Sequence, residues 1–139
     1  MTCVVRSSIA SLDKGEFIML GTAGSHIDAV SPCFMKSDGK IYAAARTSGS
    51  TSDGRINYQG FNPIEVEADE PVSLYKGVFE YSSGMTIGIP LYLTAGSAGY
   101  LETTAVTTNI GDLTTGSTVM VLNGPVAYTK TAKQIVVIR

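Results

Sequence analysis

The sequence predicts an all-β fold: a single-domain β-sandwich or barrel of short antiparallel strands. An N-terminal arm or edge strand is expected over residues 1–12 and the β domain over 13–139. Three observations predict this. Glycine and proline, 15 and 5 residues, punctuate the whole chain and leave little unbroken length for an amphipathic helix. The segments between them are short, apolar and rich in β-branched and aromatic residues. Finally, the polar surface is hydroxyl-bearing rather than charged. Charged residues make up 16% of the chain, below the usual quarter or so, while Ser and Thr number 14 and 15. A hydrophobic content of 44% and a mean hydropathy of +0.18 exclude a disordered polymer.

Each element has its own signal. Cys3-Val4-Val5-Arg6 is the one strand-like piece before residue 12, and Gly15–Gly21 is an apolar run bounded by glycines. Pro32–Lys36 and Lys40–Ala45 flank Ser37-Asp38-Gly39, a hairpin loop in which the glycine can take positive φ. Thr47–Gly54 is a polar, low-complexity loop suited to contact. Ile64–Ala68 alternates apolar and acidic residues, the period of a strand with one wet face. Pro71 opens a run to Tyr81, and Leu91–Thr94 and Tyr100–Thr104 flank a second hairpin loop, Ala95–Gly99. Thr118–Leu122 and Gln134–Arg139 supply the last strands, with Pro125–Tyr128 between them. The core expected from this alternation comprises Phe17, Ile18, Phe34, Ile41, Val72, Leu74, Val78, Phe79, Leu91, Leu93, Leu101, Val119, Val121, Val136 and Ile138.

Charge and composition narrow the function. A net charge of −2 and a pI near 5.3 provide no basic field for nucleic acid. No stretch reaches the roughly 18 apolar residues of a membrane helix. The N-terminus lacks the basic start and apolar stretch of a signal peptide, so synthesis and retention in a cytoplasm are expected. Cys3 and Cys33 stand 30 positions apart with no C-x-x-C spacing, a pattern expected of reduced thiols.

Catalytic chemistry finds little to build on. The single histidine, His26, lies between Ser25 and Asp28. Sequence neighbours on an extended strand point to opposite faces, so this is not a triad in waiting. Glu65, Glu67, Asp69 and Glu70 form an acidic strip that reads as a solvated face or a contact for a basic partner. Two cysteines and one histidine are too few for a Cys/His metal site. Gly21-Thr22-Ala23-Gly24-Ser25 lacks the lysine and following helix of a phosphate loop. No catalytic, cofactor-binding or metal-ligating residue is assigned, and a non-enzymatic protein is expected.

One cadence is distinctive. Val72-Ser73-Leu74-Tyr75-Lys76-Gly77-Val78-Phe79-Glu80-Tyr81 is followed by Gly84-Met85-Thr86-Ile87-Gly88-Ile89-Pro90-Leu91-Tyr92-Leu93, and then by Gly99-Tyr100-Leu101-Glu102-Thr103-Thr104. Over roughly residues 64–139 this resembles the decoration (cement) proteins of tailed-bacteriophage capsids, small β domains with a "G-V-F" strand followed by "G-x-P-L-Y-L" and "G-x-L". The first 60 residues have no counterpart in the resemblance. It implies a structural protein made in the bacterial cytoplasm and mounted on the outer capsid surface of the virion. Its partners would be the major capsid protein and itself, as a homotrimer, with no nucleic acid, membrane or cofactor. Another phage structural β protein, such as a head fibre or tail component, and a glycan-binding module are the alternatives. Within the cement reading, the capsid contacts expected are Thr2, Cys3, Val4, Val5 and Arg6, by strand addition, and Ser48, Ser50, Thr51 and Asp53 of the polar loop, by hydrogen bonding.

Overall fold

A computed structural model of the chain describes residues 3–4, 11–44, 58–94, 99–103, 107–111, 118–122 and 125–138. Among them the structure is all β, built from twelve strands. These are β1 (Cys3–Val4), β2 (Ser11–Thr22), β3 (Ser31–Met35), β4 (Ile41–Ala43), β5 (Tyr58–Asn62), β6 (Pro71–Glu80), β7 (Pro90–Leu93), β8 (Leu101–Glu102), β9 (Thr107–Gly111), β10 (Thr118–Leu122), β11 (Ala127–Thr129) and β12 (Gln134–Val137). Ten strands make one curled antiparallel sheet, a half-barrel, in the order β1-β8-β7-β11-β12-β6-β5-β3-β4, with β2 also on β6. Strands β9 and β10 pair separately, Thr107 opposite Leu122 and Gly111 opposite Thr118.

Two strands depart from the short-strand expectation: β2 spans 12 residues and β6 spans 10. They pair along their whole length, from Ser11 opposite Glu80 to Thr22 opposite Pro71. A strand has only two edges, so β5 and β12 must share the other edge of β6. They do: β5 meets it at Tyr75, and β12 takes over from Gly77 to Glu80. The β2–β6 ribbon therefore serves two halves of the sheet, and the handover falls at Gly77. There Gly15 lies directly opposite Gly77. A Cβ on Gly77 would lie 2.4 Å from both the Gly15 Cα and the Lys14 carbonyl oxygen, and one on Gly15 would lie 2.3 Å from the Lys76 carbonyl oxygen. Gly77 also has φ of 141°, a conformation closed to other residues on steric grounds. Bulges at Asp13 and Ile18 of β2 add to the bend.

Folding the sheet at this ribbon encloses the main core, in which Phe34 and Phe61 from one half meet Phe79, Tyr81, Leu91 and Ile135 from the other. Phe61 and Phe79 pack with ring centroids 5.6 Å apart, a favourable aromatic distance. A smaller cluster of Ile27, Cys33, Ile41, Val66, Val72 and Leu74 lies elsewhere in the fold. Both faces of β3 are thus used, Phe34 in the main core and Cys33 in the smaller one. The Cys33 thiol is buried and donates to the Ser31 carbonyl at 3.3 Å.

The smaller core is closed by the chain leaving β2. Ala23 bridges Ile41 in parallel, and the Gly24 N–H donates to the Ile41 carbonyl at 2.9 Å. On its other side, Ala23 exchanges hydrogen bonds with Asp69 and Glu70 at 2.8 and 2.9 Å. The β3–β4 hairpin forms as expected around Ser37-Asp38-Gly39, with Gly39 at φ 81° and its N–H donating to the Lys36 carbonyl. Strands β7 and β8 likewise pair as the second hairpin.

Four residues of the expected core need correction. Phe17 is 53% exposed, because β2 has β6 on one side only; its ring instead stands edge-on to Tyr75 at 5.7 Å. Val136 is half-buried and Ile138 is 48% exposed. In this run of four apolar residues the alternation had the wrong parity. Pairing places Ile135 opposite Phe79 and Val137 opposite Ala127, so the odd-numbered side chains face inward. Ile18 is half-buried at a bulge. Val119 and Val121 lie in β10, with side chains outside the described residues. The remaining expected core residues are buried, and Ile27, Val30, Phe61, Tyr81, Val126 and Ile135 join them.

The glycine corner yields a paired prediction. Gly77→Val is expected to destabilise the fold by roughly 3 kcal/mol or more, since it adds both a backbone clash and a forbidden φ. Gly84, at φ 69° with nothing within 4 Å of a Cβ, is the control. Gly84→Ala is expected to cost only the backbone strain of about 1–2 kcal/mol. Urea unfolding of both variants measures the difference.

Candidate functional site

The densest set of titratable groups forms where the chain crosses the smaller core. Ile27 and Val66 make an isolated antiparallel bridge, exchanging both N–H···O=C bonds at 2.9 and 3.0 Å. Their side chains point inward and are 1% and 8% exposed. Alternation then sends the residues on either side of each outward. Antiparallel register sets His26 opposite Glu67 and Asp28 opposite Glu65, giving one exposed face with a histidine and three carboxylates.

The contacts follow that register. His26 Nδ1 lies 2.5 Å from Glu67 Oε1, and His26 Nε2 lies 2.7 Å from Asp28 Oδ1 and 3.7 Å from Glu65 Oε2. A neutral imidazole carries one N–H, whereas these two short contacts to carboxylate acceptors need two donors, the complement of an imidazolium. The hydrogen bond to Asp28, followed by that to Glu67, holds the His26 pKa above its ordinary 6.5. The groups are exposed, so water screens the attraction and the cluster adds little to global stability. His26 Nε2, Asp28 and Glu65 offer atoms within 4.8 Å of one another. The ring, however, already occupies the space between the carboxylates and satisfies them, so we assign no metal here.

The acidic strip read from the sequence is thus divided among three tasks. Glu65 and Glu67 face His26, Asp69 pairs with Lys40 Nζ at 3.1 Å, and Glu70 accepts the Glu67 N–H at 2.6 Å. A neighbouring polar group sits on the β3–β4 hairpin. There the Tyr42 hydroxyl donates to Asp38 Oδ2 at 2.6 Å, and Lys36 Nζ lies 4.1 Å over the Tyr42 ring. The Tyr42 hydrogen bond pulls the Asp38 carboxyl below its usual range, and the same bond pushes the Tyr42 hydroxyl up.

Both strands of the His26 cluster are anchored by a residue that pattern reading passed over. Asn62 is fully buried. Its Oδ1 accepts the Ser31 N–H at 2.7 Å, and its Nδ2 donates to the carbonyls of Asp28 and Ile64 at 3.1 and 3.0 Å. The Ser31 hydroxyl adds a bond to the Asp28 carbonyl at 2.7 Å. One side chain thereby fixes the spacing of the two segments carrying His26–Asp28 and Glu65–Glu67. The sequence signal is faint: a lone Asn before Pro63 reads as turn chemistry.

A separate depression of about 140 Å³ is lined by Met85, Thr86, Ile89, Leu91, Thr103 and Thr129. It is smaller than ordinary ligand pockets. The Thr129 hydroxyl beside it is already committed, donating to the Thr86 carbonyl at 2.5 Å and accepting the Ile89 N–H at 2.8 Å.

Of the capsid contacts expected from the sequence, Cys3 and Val4 form β1, opposite Glu102 and Leu101 at one end of the sheet. Thr2, Val5, Arg6, Ser48, Ser50, Thr51 and Asp53 lie outside the described residues. Strand β1 is the terminal strand beside β8, while the cluster is carried by the two segments of the Ile27–Val66 bridge; the curled sheet brings its ends together, the Gly99 N–H before β8 donating to the Ala44 carbonyl after β4 at 2.9 Å. No protein-family model matches the chain, and no curated protein sequence shows significant similarity to it.

Replacing Asn62 tests the anchor. Asn62→Ala leaves the Ser31 N–H and two carbonyls short of their partner inside the protein, so a loss of about 2–4 kcal/mol is expected by denaturant unfolding. Amide exchange at Ile27 and Val66 is expected to accelerate more than at Phe79 in the main core.

Proposed function

We propose that this chain is a structural protein of a tailed-bacteriophage virion, a capsid decoration (cement) protein. It binds the outside of the head as a homotrimer and bridges neighbouring major capsid subunits. The observation that supports this reading best is a small all-β domain in which, among the described residues, one long strand keeps an unpaired edge. Strand β2 pairs with β6 on one side and, among the described residues, with nothing on the other. Its 12 residues offer an edge roughly 40 Å long at about 3.3 Å per residue. Phe17 and Leu20 on this strand are 53% and 64% exposed. At the far end of the sheet β1 is the terminal strand, with its inner edge on β8.

Open edges suit a cement. Internal pressure pulls capsid subunits apart, so a stabiliser must add contact area across their seams. Backbone N–H and C=O groups on a free edge accept an extended partner segment with little demand on its sequence. Such an edge also risks pairing with other copies. The bulges at Asp13 and Ile18, with Lys14 and Glu16 between them, discourage that on β2. No chemistry is required of such a protein, and the neutral hydroxyl-rich surface suits a close-packed shell.

Particles assembled without this chain, mixed with purified recombinant protein, provide the test. Saturable binding at a fixed ratio to capsid subunits, with density at three-fold positions by cryo-electron microscopy, is the expected result. Failure to bind particles, or binding to soluble glycans instead, would overturn the proposal. Leu20→Glu, on the exposed side of β2, is expected to weaken particle binding by about tenfold, near 1.4 kcal/mol, with the melting temperature unchanged. Removal of residues 1–8 is expected to weaken binding further, through the loss of β1.

A further inference from the structure

Strand β2 offers a bounded slot rather than a bare edge. Its outer side is unpaired among the described residues, and β4 closes the slot at one end. There Ala23 bridges Ile41, the Gly24 N–H donates to the Ile41 carbonyl, and a Cβ on Gly21 would lie 2.5 Å from Ile41 Cδ1. The bulges at Asp13 and Ile18 leave residues 14–17 as the regular stretch of ladder outside that closure, opposite residues 75–78.

The two faces of this ribbon differ in chemistry. Directly opposite residues of an antiparallel pair share a face. Leu12, Phe17 and Leu20 stand opposite Phe79, Tyr75 and Ser73, odd-numbered positions of β6, and so lie on the main-core side. Leu12 packs against that core and Phe17 meets Tyr75 edge-on. Phe17 and Leu20 remain exposed, an apolar surface that continues the core past its last covered strand. Lys14 and Glu16 stand opposite Val78 and Lys76, on the other face. Both are exposed, and neither forms an ion pair among the described residues. Their neighbour Asp13 is turned away, accepting from Gln134 Nε2 at 3.4 Å.

We propose, resting on the cement function above, that the β2 slot takes an antiparallel extended segment of defined pattern, which that function places on the major capsid subunit. The segment carries apolar residues across from Leu20 and Phe17, a basic residue across from Glu16 and an acidic residue across from Lys14. Backbone pairing supplies the affinity, and the side chains select among segments, since opposite charges directly across a pair favour it and like charges oppose it. The charges also set direction. The same segment laid parallel about Gly15 would bring its basic residue to Lys14 and its acid to Glu16. Antiparallel addition matches every strand pair of the main sheet. A second copy of β2 does not fit the pattern. The register that sets Lys14 across from Glu16 of another copy sets Phe17 across from Asp13, so the charges match where the apolar residues do not.

Titration of the full chain with capped octapeptides, followed by nuclear magnetic resonance, tests the pattern without particles. The matched peptide is Thr-Val-Thr-Val-Lys-Thr-Glu-Thr. A swapped peptide exchanges its Lys and Glu, and a polar peptide carries Ser in place of both Val. The matched peptide is expected to shift β2 amides between Lys14 and Leu20, and to leave Ile135 in the core unmoved. It is expected to bind about fivefold more tightly than the swapped peptide and about tenfold more tightly than the polar one. Lys14→Glu combined with Glu16→Lys is expected to reverse the order of the two charged peptides, with the melting temperature unchanged. Absence of binding, shifts confined to other strands, equal affinity for matched and swapped peptides, or an order that survives the double variant would each overturn the proposal. Particle binding without this peptide order overturns the slot's pattern and spares the cement function. The peptide order without particle binding supports the pattern and overturns the cement function.

Discussion

The contact between Gly15 and Gly77 governs the rest of the architecture. Neither residue of this pair can carry a Cβ, and here one edge of β6 passes from β5 to β12. Without that handover, the two halves of the sheet would extend away from each other. Phe34 and Phe61 would then have no opposing layer, and the buried ring of Phe79 would face water. Long-range sheet order here thus rests on two residues that contribute no side chain of their own.

The same bend explains why the protein has two cores. Folding the sheet at the ribbon buries one face of β3 and β5 in the main core, while Cys33 and Met35 on the other face of β3 need separate cover. The chain supplies it by carrying β2 past its last pair, through Ala23, into the Ile27–Val66 bridge. Because that cover is one bridge wide, its backbone cannot stabilise itself as a ladder does. It depends on side chains: the buried amide of Asn62 beneath and the His26 cluster above. The amide is neutral and deeply buried, so its hydrogen bonds carry most of the stability. The charged cluster is exposed and contributes little.

The proposed cement function would use this division. One folded sheet carries both β1 and β2, so under that proposal two separate strands would be offered to the capsid. Phe17 and Leu20 remain exposed on β2 because nothing within the described domain pairs with that edge.

The sequence by itself determined the strand content, most strand positions, the β3–β4 turn and the inward residues wherever apolar and polar positions alternate, as at Leu91 and Leu93. Those are local properties, set by side-chain period and by the backbone freedom of glycine. The parity of Ile135–Ile138 was not legible, because a run of four apolar residues looks the same in either register, and only the partners Phe79 and Ala127 distinguish them. Nor was the length of β2, since its bulges at Asp13 and Ile18 interrupt the alternation by which a strand is recognised. The candidate site was half visible. Glu65 and Glu67 show the two-residue spacing of a shared face, whereas His26 and Asp28, which the argument from opposite faces kept apart, are themselves two residues apart and meet on one face. That the two faces are one surface was decided by a bridge between residues 39 positions apart. Local periodicity carries no information about which distant strand will arrive alongside. That choice belonged to the fold, through the glycine corner that turned the sheet and the buried Asn62 that tied the segments together.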